Sequence, residues 1–242
     1  MRTLFRRLRG WRRVPESAPR EAITSIGEPF VNVLCSMYDG DPQLGSDGEI
    51  HSMHDALARL EPQQGMLIYG LVRDTKPEIS LEIGLAYGFS TIYFLAAIQA
   101  NGRGHHIAVD PFQYEWWRGI GVAREKVLGT KPGVFEFSQE TSVQALARFA
   151  REQQRFGVIF IDGNHTFDAV LIDFSLASLV CEPDGYIILD DMWMPSIQRA
   201  ASFIRLNRAD FTEVPTAVSS LAVFRRTGTD ERRWDHFVPF LT

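Results

Sequence analysis

From about residue 78 onward, short apolar runs alternate with longer segments of helical periodicity, and this limits the fold more than any other feature. The runs are ISLEIG (79–84), HIAVD (106–110), VFEFS (134–138), GVIFID (157–162) and GYIILDD (185–191). Between them lie STIYFLAAIQA, WWRGIGVAREKVL, SVQALARFAREQ, residues 166–181 and SIQRAASFIRLNR, each long enough to cross over as a helix. Strand, crossover helix and strand give parallel pairing, so this region predicts a doubly wound, Rossmann-like α/β sheet. FTEVP and SLAVFRRT follow with only a short link between them, which predicts an antiparallel last strand in a mostly parallel seven-stranded sheet. Upstream, residues 21–77 read as a mainly helical cap or lid, with a polar loop PQLGSDGE at 42–49. Residues 1–20 form a basic extension, 78–228 the sheet domain and 229–242 a tail.

Composition narrows the class. The 242 residues are 45% hydrophobic, which excludes a disordered or collagen-like chain, and no apolar run approaches the ~20 residues of a membrane span. Cys35 and Cys181 lie far apart without a CxxC partner, so neither a disulfide framework nor a structural zinc site is expected, and a cytoplasmic location fits. The formal net charge of −5 is uneven: seven arginines against Glu16 give the first 20 residues +6 and leave −11 on the remainder. An acidic body argues against nucleic acid as partner. In the head, Leu4, Phe5, Leu8 and Trp11 recur at helical spacing among arginines. It reads either as an amphipathic helix for a membrane surface or protein, or as a loose extension broken by Gly10. An export signal of twin-arginine type is excluded because no apolar stretch follows Arg12-Arg13 before Pro15; an organelle transit peptide stays open.

Ligands of open α/β sheets bind beyond the carboxyl ends of the strands, so the chemistry is expected just after residues 84, 110, 162 and 191. The first turn reads Glu82-Ile-Gly84-Leu-Ala-Tyr-Gly88-Phe-Ser90-Thr91. The glycines are four apart, unlike a dinucleotide fingerprint, and a carboxylate at Glu82 repels a pyrophosphate but can hold an ammonium group. Ser90 and Thr91 either cap the next helix or bond a carboxylate. Asp110, 28 residues beyond Glu82, is placed to accept bonds from ribose hydroxyls, or else caps the segment after Pro111. A nucleoside joined to an amino acid satisfies these groups together, and S-adenosylmethionine has that description.

LEIGLAYGFST resembles the first motif of class I S-adenosylmethionine-dependent methyltransferases. IDGNHTFDAVLIDFSLASLVCEPDGYIILDDMW resembles the later motifs of the metal-dependent small-molecule O-methyltransferases, which include catechol, caffeoyl-CoA and macrolide-sugar enzymes. The resemblance runs from about Gln63 to Arg226. It implies that Glu82, Gly84, Gly88, Ser90, Asp110 and Ser142 bind the cofactor, with Ser142 at the adenine. It further implies that Asp162, Asp190 and Asp191 hold a catalytic divalent metal and that His165 is the general base, a lysine in the catechol enzyme. Gln63-Gln64-Gly65 resembles the lead into the cofactor domain, and Met53 and His54 match a lid. Asn164 departs from the macrolide-type pattern, where many relatives have an acid.

The chemistry suits these residue types. An alcohol is a weak nucleophile while protonated, and a hard cation on carboxylates lowers its pKa and orients it. Three carboxylates without a Cys/His cluster favour Mg²⁺, or Mn²⁺ or Ca²⁺, over Zn²⁺, and without a cation they would repel one another. The competing structural roles are helix capping for Asp190 and Asp191 and a plain loop position for His165. Asp168 and Asp173 read as surface or orienting groups, Trp193 as acceptor-facing, and Trp116 and Trp117 as flanking adenine or filling core. The expected function is a metal-assisted O-methyltransferase acting on a small-molecule hydroxyl, with a homo-oligomer as the expected assembly. The rivals are a methyltransferase of the same fold with another acceptor atom or no metal, a dinucleotide oxidoreductase, and a non-catalytic cofactor-binding module.

Overall fold

The computed structural model describes residues 18–55 and 58–240. The basic head therefore lies, up to residue 17, outside the described residues. Helices α1 (Ala18–Ile23), α2 (Phe30–Asp39) and α3 (Pro62–Thr75) form the upstream part, with an antiparallel ribbon of β1 (Gln43–Leu44) and β2 (Ile50–His51) between α2 and α3. The alternating region then runs β3 (Ile79–Ile83), α4 (Phe89–Asn101), β4 (His105–Val109), α5 (Arg124–Leu128), β5 (Phe135–Ser138) and α6 (Ser142–Arg151). It continues as β6 (Phe156–Ile161), α7 (Phe167–Val180), β7 (Cys181–Leu189), α8 (Pro195–Asn207), β8 (Phe211–Val214) and β9 (Ala222–Arg226).

The seven strands lie in the order β5-β4-β3-β6-β7-β9-β8. Pairing is parallel from β5 to β7, and β9 runs antiparallel to both of its neighbours, as the sequence predicts. Chain order reverses between β3 and β6, so the crevice of this sheet opens at their carboxyl ends. Side-chain alternation divides the core in two. Leu81, Ile83, Ile107, Val109, Ile159 and Ile161 face Leu146, Phe149, Phe174 and Ile204 of α6–α8. Ala108, Val158, Phe160 and Ile188 face the other way, against α2, α3 and α4. With both faces covered, central strands read as unbroken apolar runs: all six residues of β6 are buried.

Helix starts follow local signals. Pro62 opens α3 with a Glu61–Gln64 capping box, and Thr141 and Gln144 make the same box at α6. Gly65 lets α3 lie close on α4, since a Cβ there would stand 2.1 Å from the Tyr93 ring.

Two expectations fail in the upper rim. WWRGIGVAREKVL is helical only over α5. Arg118 (φ 56°) and Gly119 (φ 65°) are left-handed and end any helix before it, and residues 111–123 run as successive turns. This segment seats on the 42–51 stretch: a Cβ on Gly119 would meet Ser46 Oγ at 2.0 Å, and one on Gly45 would meet the Arg118 carbonyl at 2.6 Å. PQLGSDGE is accordingly not a free loop but the turn of the β1–β2 ribbon, closed by Gly45 N–H to the Glu49 carbonyl (2.8 Å). At the other end, the Val238 backbone bonds both ends of the Asn207 amide, and Phe240 packs on Phe167 and Phe203. Among the described residues no helix is long and apolar enough to cross a membrane.

Candidate active site

Of the expected site residues, Gly84, Asp110, Asp162 and Asp190 each stand one residue beyond a strand. β3 ends at Ile83, then Gly84 turns with φ 95°; a Cβ there would sit 2.0 Å from the Asp162 carbonyl, so only glycine lets the turns after β3 and β6 touch. Gly88 (φ 80°) is the N-cap of α4 and offers no side-chain cap, leaving the first N–H groups of the helix open. Asp110 follows β4 and is nearly enclosed. Its carboxylate accepts from Ala86 N–H (2.9 Å), Phe112 N–H (2.7 Å) and Gln113 Nε2 (3.1 Å), tying the first turn to the end of β4. Of about four lone-pair sites on a carboxylate, one is left for a ligand.

Glu82 requires a correction. It lies between Leu81 and Ile83 on the opposite face of β3, fully buried under α4 rather than at the mouth. Its oxygens accept from Ser90 Oγ (2.5 Å) and Thr91 Oγ1, and His106 Nε2 stands 3.1 Å from Oε1. His106 Nδ1 shares a hydrogen bond with Ser80 Oγ (2.9 Å), and its ring stacks on Phe94 at 4.2 Å. The carboxylate is thus satisfied internally and does not face a ligand ammonium. It anchors the start of α4 from below, and Ser90 is spent on it.

Ser142 is also differently engaged. It opens α6 half-buried and hydrogen-bonds Asp173 of α7, which is itself 2% exposed. Burial pushes Asp173 up to about 6, against which the Ser142 bond acts only in part. A carboxyl whose pKa is raised on folding contributes stability below its unfolded value, near 3.8, and loses it as pH rises through about 6. Asp173→Asn is therefore expected to stabilise the fold at pH 7.5 by on the order of 2–3 kcal/mol and to change little at pH 4. Melting temperatures of the two proteins at both pH values check this; equal differences at pH 4 and 7.5 would contradict it.

The acids after β6 and β7 form the chemical centre. The sheet ladder continues past both strands, with Asp162 N–H on the Ile83 carbonyl (2.9 Å) and Asp190 N–H on the Ile161 carbonyl (3.2 Å). His165 Nε2 sits between two carboxylates, 2.8 Å from Asp191 Oδ2 and 3.3 Å from Asp162 Oδ1. Ligand atoms of Asp162, His165 and Asp191 lie within 4.8 Å of one another. Asp190 is not in this group: its Oδ1 accepts from Gln64 Nε2 and from Asp191 N–H (2.6 Å), so it faces α3. The same Gln64 caps α3, its Oε1 accepting Glu61 N–H at 2.8 Å. Asp191 is left-handed at φ 57°, a costly conformation for a non-glycine residue. It is held there by Met194 N–H on its carbonyl (2.8 Å), by Trp193 Nε1 on Oδ1 (2.8 Å) and by His165.

The electrostatics follow from this crowding. Burial, with Asp191 and Glu82 adding charge, pushes Asp162 up to about 6. Burial and the two neighbouring acids drive Asp190 well above the carboxylate range. Burial opposes ionisation of Asp191 too, yet the hydrogen bond and charge of His165 and the Trp193 N–H hold it below its ordinary value. Hydrogen bonds to Asp162 and then Asp191 lift His165 to about 10, so the imidazolium is the cation between the two carboxylates.

The remaining expected residues are peripheral. Asn164 accepts Thr166 N–H (3.0 Å) at the start of α7, and Asp168 is in the first turn of α7. Trp116 is 58% exposed and stacks on Phe112, so it does not fill core, whereas Trp117 meets the edge of Tyr87. His54 N–H bonds Tyr87 Oη (3.0 Å), which places the expected lid segment on the first turn. A cleft of about 830 Å³ under the C-terminal segment, lined by Asp210, Asp230 and Arg232, shares no residue with this site.

A family model described as a methyltransferase domain matches residues 81–192, which hold the first turn and all four residues of the acidic centre. Residues 81–192 are thus similar to a methyltransferase domain. No curated protein matched the chain. Among solved structures, the O-methyltransferase TomG of Streptomyces achromogenes, in complex with SAM, is 18% identical over 71% of this chain and 82% of its own, with a TM-score of 0.59. An O-methyltransferase of Bacillus cereus in complex with SAH is 20% identical over 71% and 83%, with a TM-score of 0.58. SAH-bound PaMTH1 of Podospora anserina is 15% identical over 72% and 82%, with a TM-score of 0.60. At these identities the likeness shows the fold. Within this region, His106 and Arg124 escaped sequence reasoning, as did the contact of Asp190 with Gln64 outside it. Ser80 and Glu82 share a period-two face, and register pairs Ser80 with His106, which was the available signal for that cluster.

Proposed function

We propose that this chain transfers the methyl group of S-adenosylmethionine to a hydroxyl oxygen of a small molecule, assisted by a divalent cation. One observation carries the reading: Asp162, His165 and Asp191 converge within 4.8 Å at the sheet's crevice, beside the glycine turn. The donor chemistry fits such an ion, because two carboxylates aim hard oxygens at a common point where a single positive group, the His165 ring, now stands between them. Asp162 and Asp191 are the proposed ligands; Asp190, bound to Gln64 and to Asp191 N–H, orients Asp191. A bound Mg²⁺ or Mn²⁺ supplies Lewis acidity that lowers the pKa of the acceptor hydroxyl.

The chain's own groups do the rest. Gly84 and Gly88 let backbone approach the cofactor's amino-acid end, and Asp110 offers its remaining lone pair to the ribose. Ser142 borders the adenine place at the head of α6. Glu82 acts from beneath, through Ser90 and Thr91, by fixing where α4 begins. His165 is protonated while it alone stands between the two acids; with a divalent cation in that place it releases this proton, and the neutral ring then takes the hydroxyl proton on Nε2. Trp193, partly exposed and fixed by Asp191, offers the acceptor an apolar wall.

The test is a screen of alcohols, phenols, amines and thiols with methyl-labelled cofactor and Mg²⁺, followed by identification of the methylated atom. Label on a hydroxyl oxygen supports the reading; label on nitrogen, sulfur or carbon alone would contradict it.

A further inference from the structure

The segment that follows β9 carries large apolar side chains outward. Residues 227–239 are exposed without a break, with Trp234 95% and Phe237 62% exposed. The segment is nonetheless tied down at both ends. Thr227 N–H and Gly228 N–H bond the Asp210 carbonyl (2.8 and 3.2 Å). Val238 bonds the Asn207 amide of α8 through its N–H (2.7 Å) and its carbonyl (2.9 Å), and Phe240 packs on Phe167 and Phe203. Between these ties, a turn closed by His236 N–H on the Arg233 carbonyl (3.0 Å) puts Trp234 at its corner. An indole displayed by a fixed backbone is ordered before any partner arrives, so covering it costs little further conformational entropy.

Area and charge decide what covers it. The two rings offer roughly 300 Å² on each copy, so two copies meeting ring on ring take about 600 Å² from water. The thirteen consecutive exposed residues, with exposed Leu206 beside Asn207, supply the remainder of the ~1,600 Å² of an ordinary specific interface. The charges around Trp234 are mixed: Asp230, Glu231 and Asp235 stand against Arg232 and Arg233. A face with one surplus acid gives the basic residues 1–20 little to bind, and its three acids repel an anionic membrane. A second copy fits better. A two-fold axis lays each patch on its own image, and Arg233, which pairs with Asp235 at 2.9 Å and is largely exposed, can trade that pair for the partner's Asp235.

We propose that residues 227–239 form a two-fold interface with a second copy of this chain, Trp234 and Phe237 making its apolar centre and Arg233 and Asp235 its rim. The surface shares no residue with the candidate active site, so the proposal stands apart from the cofactor reading.

Sedimentation equilibrium of the full chain from about 1 to 100 μM tests this on the wild type, Trp234→Ala, Arg233→Asp and Leu179→Ser, the last on an exposed apolar face of α7. The wild type is expected to dimerise with a Kd of about 10 μM or tighter. Trp234→Ala is expected to raise that Kd about 30-fold or more, as for an aromatic at the centre of an interface, Arg233→Asp by about 3- to 10-fold, and Leu179→Ser by less than about threefold. Trp234 is so exposed that its variant keeps the fold, which circular dichroism checks. A dimer indifferent to Trp234→Ala, or one that Leu179→Ser weakens as much, overturns the proposal. So does a wild type that stays monomeric at the upper concentration, whether acrylamide quenching then shows Trp234 shielded by residues 1–17 or by vesicles of phosphatidylcholine and phosphatidylserine.

Discussion

Asp162→Ala and Asp191→Ala are each expected to lower methyl transfer about 10³-fold while leaving S-adenosylhomocysteine affinity within about threefold. The two carboxylates supply the negative charge at the centre of the site, and His165 sits between them at 3.3 and 2.8 Å. Removing either takes away a proposed ligand and one of the two bonds that place His165 Nε2, and a Lewis-acid centre is worth several kcal/mol of charge stabilisation. Asp191→Asn is a useful companion: asparagine tolerates the left-handed backbone at φ 57° and keeps a neutral oxygen donor, so its loss should be about tenfold. Single-turnover rates with labelled cofactor, read alongside calorimetry, separate lost chemistry from lost binding. Variants at full rate would exclude these acids from the reaction.

Gly84→Ala is expected to destabilise the protein by about 3 kcal/mol or more and to abolish cofactor binding. Two independent causes act at this residue. Its φ of 95° is unfavourable for any L side chain, and the added Cβ would stand 2.0 Å from the Asp162 carbonyl and 2.7 Å from its carbonyl carbon. Both obstacles are backbone, so relief requires parting the turns after β3 and β6, where the cofactor reading puts the ligand. Gly40→Ala is the control: φ is 80°, but nothing lies within 4 Å, so only the conformational cost of about 1 kcal/mol is expected. For a domain of this size the difference corresponds to a melting temperature lower by several degrees for Gly84→Ala. Similar melting temperatures for the two variants would show that the turns are not in contact.

The sheet was legible because its central strands are buried on both faces and read as apolar runs between helix-length segments. The acids were legible for a related reason: each closes an apolar run, and Asp110, Asp162 and Asp190 each stand one residue past β4, β6 and β7. What pattern could not convey was the partner of each side chain. Alternation along β3 already turns Glu82 away from Leu81 and Ile83, yet its bonds to Ser90, Thr91 and His106 depend on how α4 and β4 pack. Asp190 meets Gln64 across 126 positions and Arg124 meets Gln43 across 81, contacts made only by the closed fold. Residues 116–123 belong to a stretch that reads as helical, but left-handed Arg118 and Gly119 fit the chain onto the β1–β2 ribbon, and that tertiary fit overrides the local preference.

The central claim is that the carboxylates after β6 and β7 make methyl transfer to oxygen depend on a divalent cation. The most direct measurement is the rate of label transfer to a hydroxyl acceptor after exhaustive chelation, and again after Mg²⁺ or Mn²⁺ is restored. A fall to about 1% or less of the starting rate is expected, with full recovery on restoration and no recovery in Asp191→Ala. Transfer that continues at its full rate in the chelated protein would contradict it.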